Sequence, residues 1–195
     1  MIDPEVLATP RLVLRELVPQ DLDFVATMLA NPDVSRHYER HFTRDDAEVW
    51  IDRQIERYRR DGHGLWLVEE RPSGAPVGQV GLALQEVEGM IEPEVGWLLD
   101  RSYWGRGFAT EAARAVRDAA FRRWRYPKVI SLIRPENAPS QRVAHRIGMT
   151  PGRRVNFHSF AHIVFAVAAP AETARRYTAN LSGSQRSPSS EGDAM

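Results

Sequence analysis

The sequence predicts an α/β domain whose elements run β-αα-βββ-α-β-α-ββ. Some segments alternate apolar and polar residues, or are short apolar runs between turn residues, as strands are. Others repeat apolar residues at helical spacing, and the two kinds are interleaved along the chain. At 195 residues the chain is long enough for one domain with a core and too short for two comfortable ones. The domain is placed at residues 1–180, and residues 181–195, rich in Ser, Gly and Pro, are expected to form a disordered tail.

Residues 11–17 (RLVLREL) alternate as a half-buried strand does, and Pro19 ends them. Leu22, Val25, Met28 and Leu29 then share a helix face, which Asn31-Pro32 stops. Thr43, with Asp46 three residues on, has the layout of a capping box. The helix it opens is marked by Ile51, Ile55 and Tyr58 and ends near Gly62. Residues 65–70 and 76–84 read as strands joined by the turn-rich Arg71-Pro72-Ser73-Gly74-Ala75, and residues 94–99 as a third. After a glycine-bearing loop, Ala109, Ala112, Ala113, Val116, Ala120 and Trp124 lie on one helix face. Residues 129–133 are apolar without alternation, which suits a strand covered on both sides. A short helix over 138–147 stops at Gly148. Strands over 152–155 and 161–167 close the domain, and a last helix is expected over 172–180.

Composition excludes several classes. Acidic and basic side chains balance at 26 each, so there is no basic excess for nucleic acid. Lys128 is the one lysine, and the arginines are spread along the whole chain, which locates no site. The absence of cysteine removes disulfides, thiolate metal sites and a cysteine nucleophile. His37 and His41, and His158 and His162, are each four apart but have no third ligand at metal spacing, so no metal is expected. No apolar run approaches the roughly 18 residues of a membrane span, and residues 1–10 lack a signal-peptide layout. The expectation is a soluble cytoplasmic protein. Arg57, Arg59 and Arg60, and Arg122, Arg123 and Arg125, read as solvated helix faces. Trp50, Tyr58 and Trp66 read as core before they read as an acceptor groove.

The informative segment is residues 94–113, EVGWLLDRSYWGRGFATEAA. A strand ends, a short loop carries two glycines, and a helix starts at once. The first N–H groups of a helix have no partner within it, and the helix dipole favours negative charge there. Gly105 and Gly107 let the backbone come close to a ligand. A pyrophosphate cradle fits this layout, and so does an ordinary strand-to-helix turn. There is no Gly-Lys-Ser/Thr for a P-loop and no third glycine for a dinucleotide fingerprint.

Tyr103-Trp104-Gly105-Arg106-Gly107-Phe108-Ala109-Thr110-Glu111-Ala112 resembles the acetyl-CoA pyrophosphate loop of the GNAT superfamily. It is most similar to the branch with the ribosomal-protein (alanine and serine) N-terminal acetyltransferases. The superfamily pattern is Gln/Arg-x-x-Gly-x-Gly/Ala, and Gly107-Phe108-Ala109 fits its second half. Trp104 departs from the pattern's first position in a way typical of this branch. Thr9-Pro10-Arg11-Leu12 and Asn137-Ala138-Pro139-Ser140 match in kind and order, so the likeness covers residues 9–167. It implies a mixed, mostly antiparallel sheet flanked by helices, with two central strands splayed to admit the pantetheine. Trp104, Gly105, Arg106, Gly107, Phe108, Ala109 and Thr110 would hold the pyrophosphate, and the backbone of Trp97, Leu98 and Leu99 would pair with the pantetheine arm.

By the same resemblance Asn137 would hydrogen-bond the pantetheine; as a residue it equally suits a helix N-cap. Many members carry a tyrosine that protonates the departing thiolate, and the matching position here is Ala144. In the ribosomal-protein branch a serine takes that role, and Ser140 occupies its place, though a capping hydroxyl fits there too. Glu94, with Glu92 upstream, is the candidate base; its plain alternative is a solvated carboxylate at a strand start. The implied reaction is direct acetyl transfer from acetyl-CoA to an amine, either a protein N-terminus or a small molecule. The rival from another class is a non-catalytic acyl-CoA-binding sensor or interaction module, and a longer acyl donor is a third reading. Dimers are common in the branch, so a homodimer is compatible with it.

Overall fold

The computed structural model describes residues 6–38 and 40–171, so the helix expected over 172–180 and the tail over 181–195 lie outside the described residues. Eight strands form one sheet in the order β1-β2-β3-β4-β5-β6-β8-β7. They are β1 (Leu7–Ala8), β2 (Leu12–Arg15), β3 (Leu65–Glu70), β4 (Ala75–Val87), β5 (Met90–Leu99), β6 (Lys128–Ile133), β7 (Thr150–Phe157) and β8 (Phe160–Ala168). Every adjacent pair is antiparallel except β5 and β6, which are parallel. This is the mixed, mostly antiparallel sheet that the resemblance implies. No described helix is long and apolar enough to cross a membrane.

The helices are α1 (Leu22–Ala30), α2 (Pro32–Ser35), α3 (Arg44–Asp61), α4 (Phe108–Arg122) and α5 (Ala138–Arg146). α1 buries Val25, Met28 and Leu29, the periodic residues of the sequence. Asn31-Pro32 does end it, but the same pair starts α2: the Asn31 side chain accepts from the Asp33 N–H, and Pro32 sits at the first helical position. This short helix carries no period and is absent from the predicted order. α3 opens on the Thr43–Asp46 capping box and closes on Gly62, whose φ of 72° is left-handed.

The two faces of the sheet are covered by different helices. On β4, Gln79 opposes Leu98 of β5 and accepts from the Trp50 indole on α3, so that face lies under α1 and α3. Val80 opposes Trp66 of β3, and Trp66 stacks on Trp124 just beyond α4, so the other face lies under α4. Trp66 and Tyr58 are core, at 1% and 9% exposure, as read. Trp50 is half-buried, with its ring edge-on to Tyr38 and Phe42.

β5 starts four residues before the predicted strand and runs through Pro93. Pro93 stands opposite Leu84 of β4, while β5 pairs with β6 only at Glu94 opposite Ile130. A proline is tolerated where its missing N–H faces an unpaired edge.

Candidate active site

The single pair between β5 and β6 is the feature that builds the site. β4 and β5 stay in register from Gly78–Leu99 to Val87–Met90, whereas past Glu94 the strands β5 and β6 separate. The Ser131 hydroxyl donates to the Val95 carbonyl at 2.6 Å and closes the apex of the cleft. From Gly96 to Leu99 the β6-facing edge of β5 carries no strand partner among the described residues. Trp97 and Leu99 turn their backbone groups to that edge, while Leu98, opposite Gln79, turns its own to β4.

At the open end of β5, the turn at Arg101–Tyr103 leads into the glycine loop. Gly105 and Gly107 have φ of 78° and 82°, a left-handed conformation that costs side-chain-bearing residues about 1 kcal/mol or more. The Arg106 N–H closes the turn at Trp104-Gly105. The N–H groups of Gly105, Gly107, Phe108, Ala109 and Thr110 have no acceptor among the described residues; the first bond of α4 runs from Glu111 N–H to Gly107 O. Open donors at the positive end of a helix suit an anion.

Three loop side chains face the protein. The Trp104 indole donates to the Leu99 carbonyl at 2.9 Å. The Arg106 guanidinium pairs with Glu70 at 2.6 Å and lies over the Tyr103 and Phe108 rings. Phe108 is a core plug, 1% exposed. These residues therefore offer the loop their backbone. A groove of about 700 Å³ adjoins the loop, lined by Arg11, Gly107, Thr110, Arg114, Arg122 and Arg146 among others.

Across the cleft, Asn137 is the cap of α5, its side chain accepting from the Ser140 N–H at 3.1 Å. Ser140 Oγ accepts from the Trp97 indole at 3.2 Å, which joins α5 to the unpaired stretch of β5. Ala144 has no exposed surface and belongs to the main core, so no hydroxyl group stands at that helix position.

Glu94 lies on the face of α1 and α3, half-buried. One oxygen accepts from the Gln85 side chain at 2.7 Å and the other from the Leu132 N–H at 3.0 Å. The latter donor is a ladder group of β6 that the splay leaves open. Burial pushes the Glu94 carboxyl above its ordinary range, against the two hydrogen bonds and the nearby charges of Arg57 and His162. Arg57 departs from the solvated face expected of it: it is half-buried, and Gln54 accepts its hydrogen bond. Glu92 is tied to Lys128 at 2.9 Å and buried. No group of three or more His, Cys, Asp or Glu that could hold a metal occurs among the described residues.

The acetyltransferase (GNAT) domain family matches residues 11–150. The chain belongs to the GNAT acetyltransferase family. It is 34% identical over 144 residues to the uncharacterized protein YkkB of Bacillus subtilis (strain 168), covering 73% of this chain and 84% of that one. It also superposes on an acetyltransferase of Agrobacterium tumefaciens (strain C58) with TM-score 0.75 and 29% identity, over 86% of this chain and 95% of the other. RimL, a ribosomal L7/L12 α-N-protein acetyltransferase solved in complex with coenzyme A, shares the fold at TM-score 0.70 and 15% identity, over 85% and 98% of the two chains.

Within this GNAT domain the loop stands at the open end of β5, α5 is joined to β5 through Ser140 and Trp97, and Glu94 sits where β5 meets β6. Three contacts were out of reach of a sequence reading: Trp97 to Ser140, Glu94 to Leu132, and the tie of Thr9 and Arg11 to Glu111 on α4.

Proposed function

We propose that the protein transfers an acetyl group from acetyl-CoA directly to an amine, acting in the cytoplasm through a domain spanning residues 1–180. The observation that supports this most is the run of unclaimed N–H groups at the head of α4, set beside an open strand edge on β5. An anionic pyrophosphate suits the first, and an amide-bearing arm suits the second. In this reading Gly105 to Thr110 bind the pyrophosphate, and the backbone of Trp97 to Leu99, with Asn137, aligns the pantetheine.

When bound, acetyl-CoA would supply a thioester whose carbonyl a neutral amine attacks, the C–N bond forming as the C–S bond breaks and CoA leaves as the thiolate. Glu94 is the base that takes the ammonium proton, directly or through water. Its two hydrogen bonds leave one lone-pair site on each oxygen. Ser140 stands ready to donate a hydrogen bond to the departing thiolate and to hand it a proton, which the attacking nitrogen, losing one as it becomes an amide, returns to the hydroxyl: Trp97 occupies a lone pair of Oγ, so the hydroxyl hydrogen is free to turn into the cleft. Much of the acceleration comes from holding the reactants in attack geometry.

The acceptor we favour is a protein N-terminus, in line with the substrate that RimL's name gives, with a small-molecule amine as the alternative. An α-amino group, with a pKa of about 7.7–8.0, asks less of a base than a lysine at about 10.4. The test is calorimetric titration with acetyl-CoA beside Gly107→Glu, followed by an amine panel read by thiol release. Binding lost in the variant and turnover with at least one amine are expected. Folded, CoA-free protein that gives no heat would sink the reading. Binding without turnover would favour the acyl-CoA-binding module, the second reading, which the buried Ala144 supports.

A further inference from the structure

One side chain reaches three successive residues where the glycine loop enters α4, and a fourth one turn into the helix. Arg11, between β1 and β2, donates through Nη1 to the Arg106 carbonyl at 3.1 Å. Its Nη2 lies 3.5 Å from where a Cβ on Gly107 would stand, and its guanidinium covers the Phe108 ring at 4.7 Å. It also grips Glu111, the fourth residue of α4: Nε and Nη2 reach Oε2 at 2.7 and 2.6 Å. The other carboxylate oxygen accepts from the Arg11 N–H at 3.0 Å and from the Thr9 hydroxyl at 2.6 Å.

Glu111 poses a problem that this arrangement solves. A carboxylate in the first turn of a helix is drawn to the same free N–H groups and dipole that would hold a phosphate. Being part of the chain, it competes at a high effective concentration. Here Oε1 receives two hydrogen bonds, Oε2 receives one from Nε with Nη2 beside it, and the charge is matched by the guanidinium. Burial alone would raise the Glu111 carboxyl, but the bonds from Thr9 and Arg11 hold it below its ordinary range, so it stays ionised and stays turned aside. The Arg11 side chain is half exposed, while that of Glu111 is largely buried against it.

We infer that Arg11, assisted by Thr9, is a positioning residue that restrains Glu111 and so keeps the N–H groups of the loop open to the donor's pyrophosphate. The inference rests on the proposed use of acetyl-CoA. Because the brace acts only through the anion, its effect is confined to donors that carry one.

The experiment compares wild type, Arg11→Ala, Glu111→Ala and the double variant. Affinity is measured for acetyl-CoA by calorimetry, and for S-acetylpantetheine, which lacks the pyrophosphate and nucleotide, by ligand-observed NMR. Arg11→Ala is expected to weaken acetyl-CoA binding about ten-fold or more and leave S-acetylpantetheine unchanged. Adding Glu111→Ala to it should restore most of the lost affinity, because the competing carboxylate is gone. Equal losses for both donors would reduce Arg11 to a structural residue and overturn the inference. A double variant no tighter than Arg11→Ala would also overturn it, since Arg11 would then act on the phosphates itself. Wild type that binds the two donors equally would instead remove the pyrophosphate site, and with it the reading on which the inference stands.

Discussion

At Glu94, burial and hydrogen bonding act in opposite directions on one carboxylate, and burial prevails. The base form therefore dominates only above a raised pKa, and the acceptor amine adds its own limb near pH 8. The logarithm of kcat/KM against pH should rise with slope two at low pH and slope one between the two values. Glu94→Gln should lower kcat/KM by about 10²–10⁴-fold and leave slope one; a variant that keeps both limbs would remove Glu94 as the base. Stability has its own sign. A folded pKa above the unfolded one means that the folded state holds the proton more tightly, so this contribution is full at acid pH and is lost as pH rises through the raised value. Glu94→Gln fixes the neutral form and is expected to melt at or above the wild-type temperature at pH 8, trading activity for stability. Ser140 is judged by coupling. Ser140→Ala should reduce kcat with little change in the KM for acetyl-CoA, Trp97→Phe should reduce it less, and the double variant should be no worse than Ser140→Ala. Additive losses would break the assigned link between the indole and the hydroxyl.

Among the elements, those legible in the sequence were those whose cause is local. α3 was read from Thr43, Asp46 and Gly62 because caps are set within a few residues, and α4 from an apolar face of regular period. β1 has two residues and α2 four, too few for any period, and the first four residues of β5 include Pro93, which a strand tolerates only beside an open edge that the sequence does not show. The same division holds for the site. The glycine loop is contiguous and was read. Arg11 meets Glu111 across 100 positions and Trp97 meets Ser140 across 43, and these pairings exist only once the sheet has assembled. Gly81 shows how tightly the elements are fitted: a Cβ there would stand 2.0 Å from the Gly64 carbonyl oxygen and 2.5 Å from Leu65 Cα, both backbone atoms where the α3–β3 connection enters β3. Neither can yield without moving the end of α3, where Tyr58 donates to the Leu65 carbonyl. Gly81→Ala should cost about 3 kcal/mol or more, as other overpacked core sites do, and lower the melting temperature by roughly 6–12 °C for a chain of this size. A loss of under 2 °C would mean that the α3–β3 connection is looser than it is drawn.

The whole molecule consists of two antiparallel half-sheets, β1 to β5 and β6–β8–β7, which meet at one residue pair and are otherwise held by Ser131, the Glu94 carboxylate and the helices over the seam. The seam is the obvious place for the halves to move relative to each other, since a single ladder pair resists opening far less than the ten-residue register of β4 with β5. It is also where the proposed donor would lie, with the backbone of β5 on one side and α5 on the other. A ligand in that position bonds to both halves at once and acts on the folded state only. At a hundred times its dissociation constant it should add about 2.7 kcal/mol of stability, which for this length corresponds to a rise in melting temperature of roughly 5–11 °C. The local signature is sharper than the global one. Hydrogen exchange at residues 96–99 and at 105–110 should slow markedly with acetyl-CoA, while the hairpin of β7 and β8 is left almost unchanged. Slowing spread evenly over the sheet would show that the ligand stabilises the fold without closing the seam, and slowing confined to 105–110 would leave the arm out of the cleft.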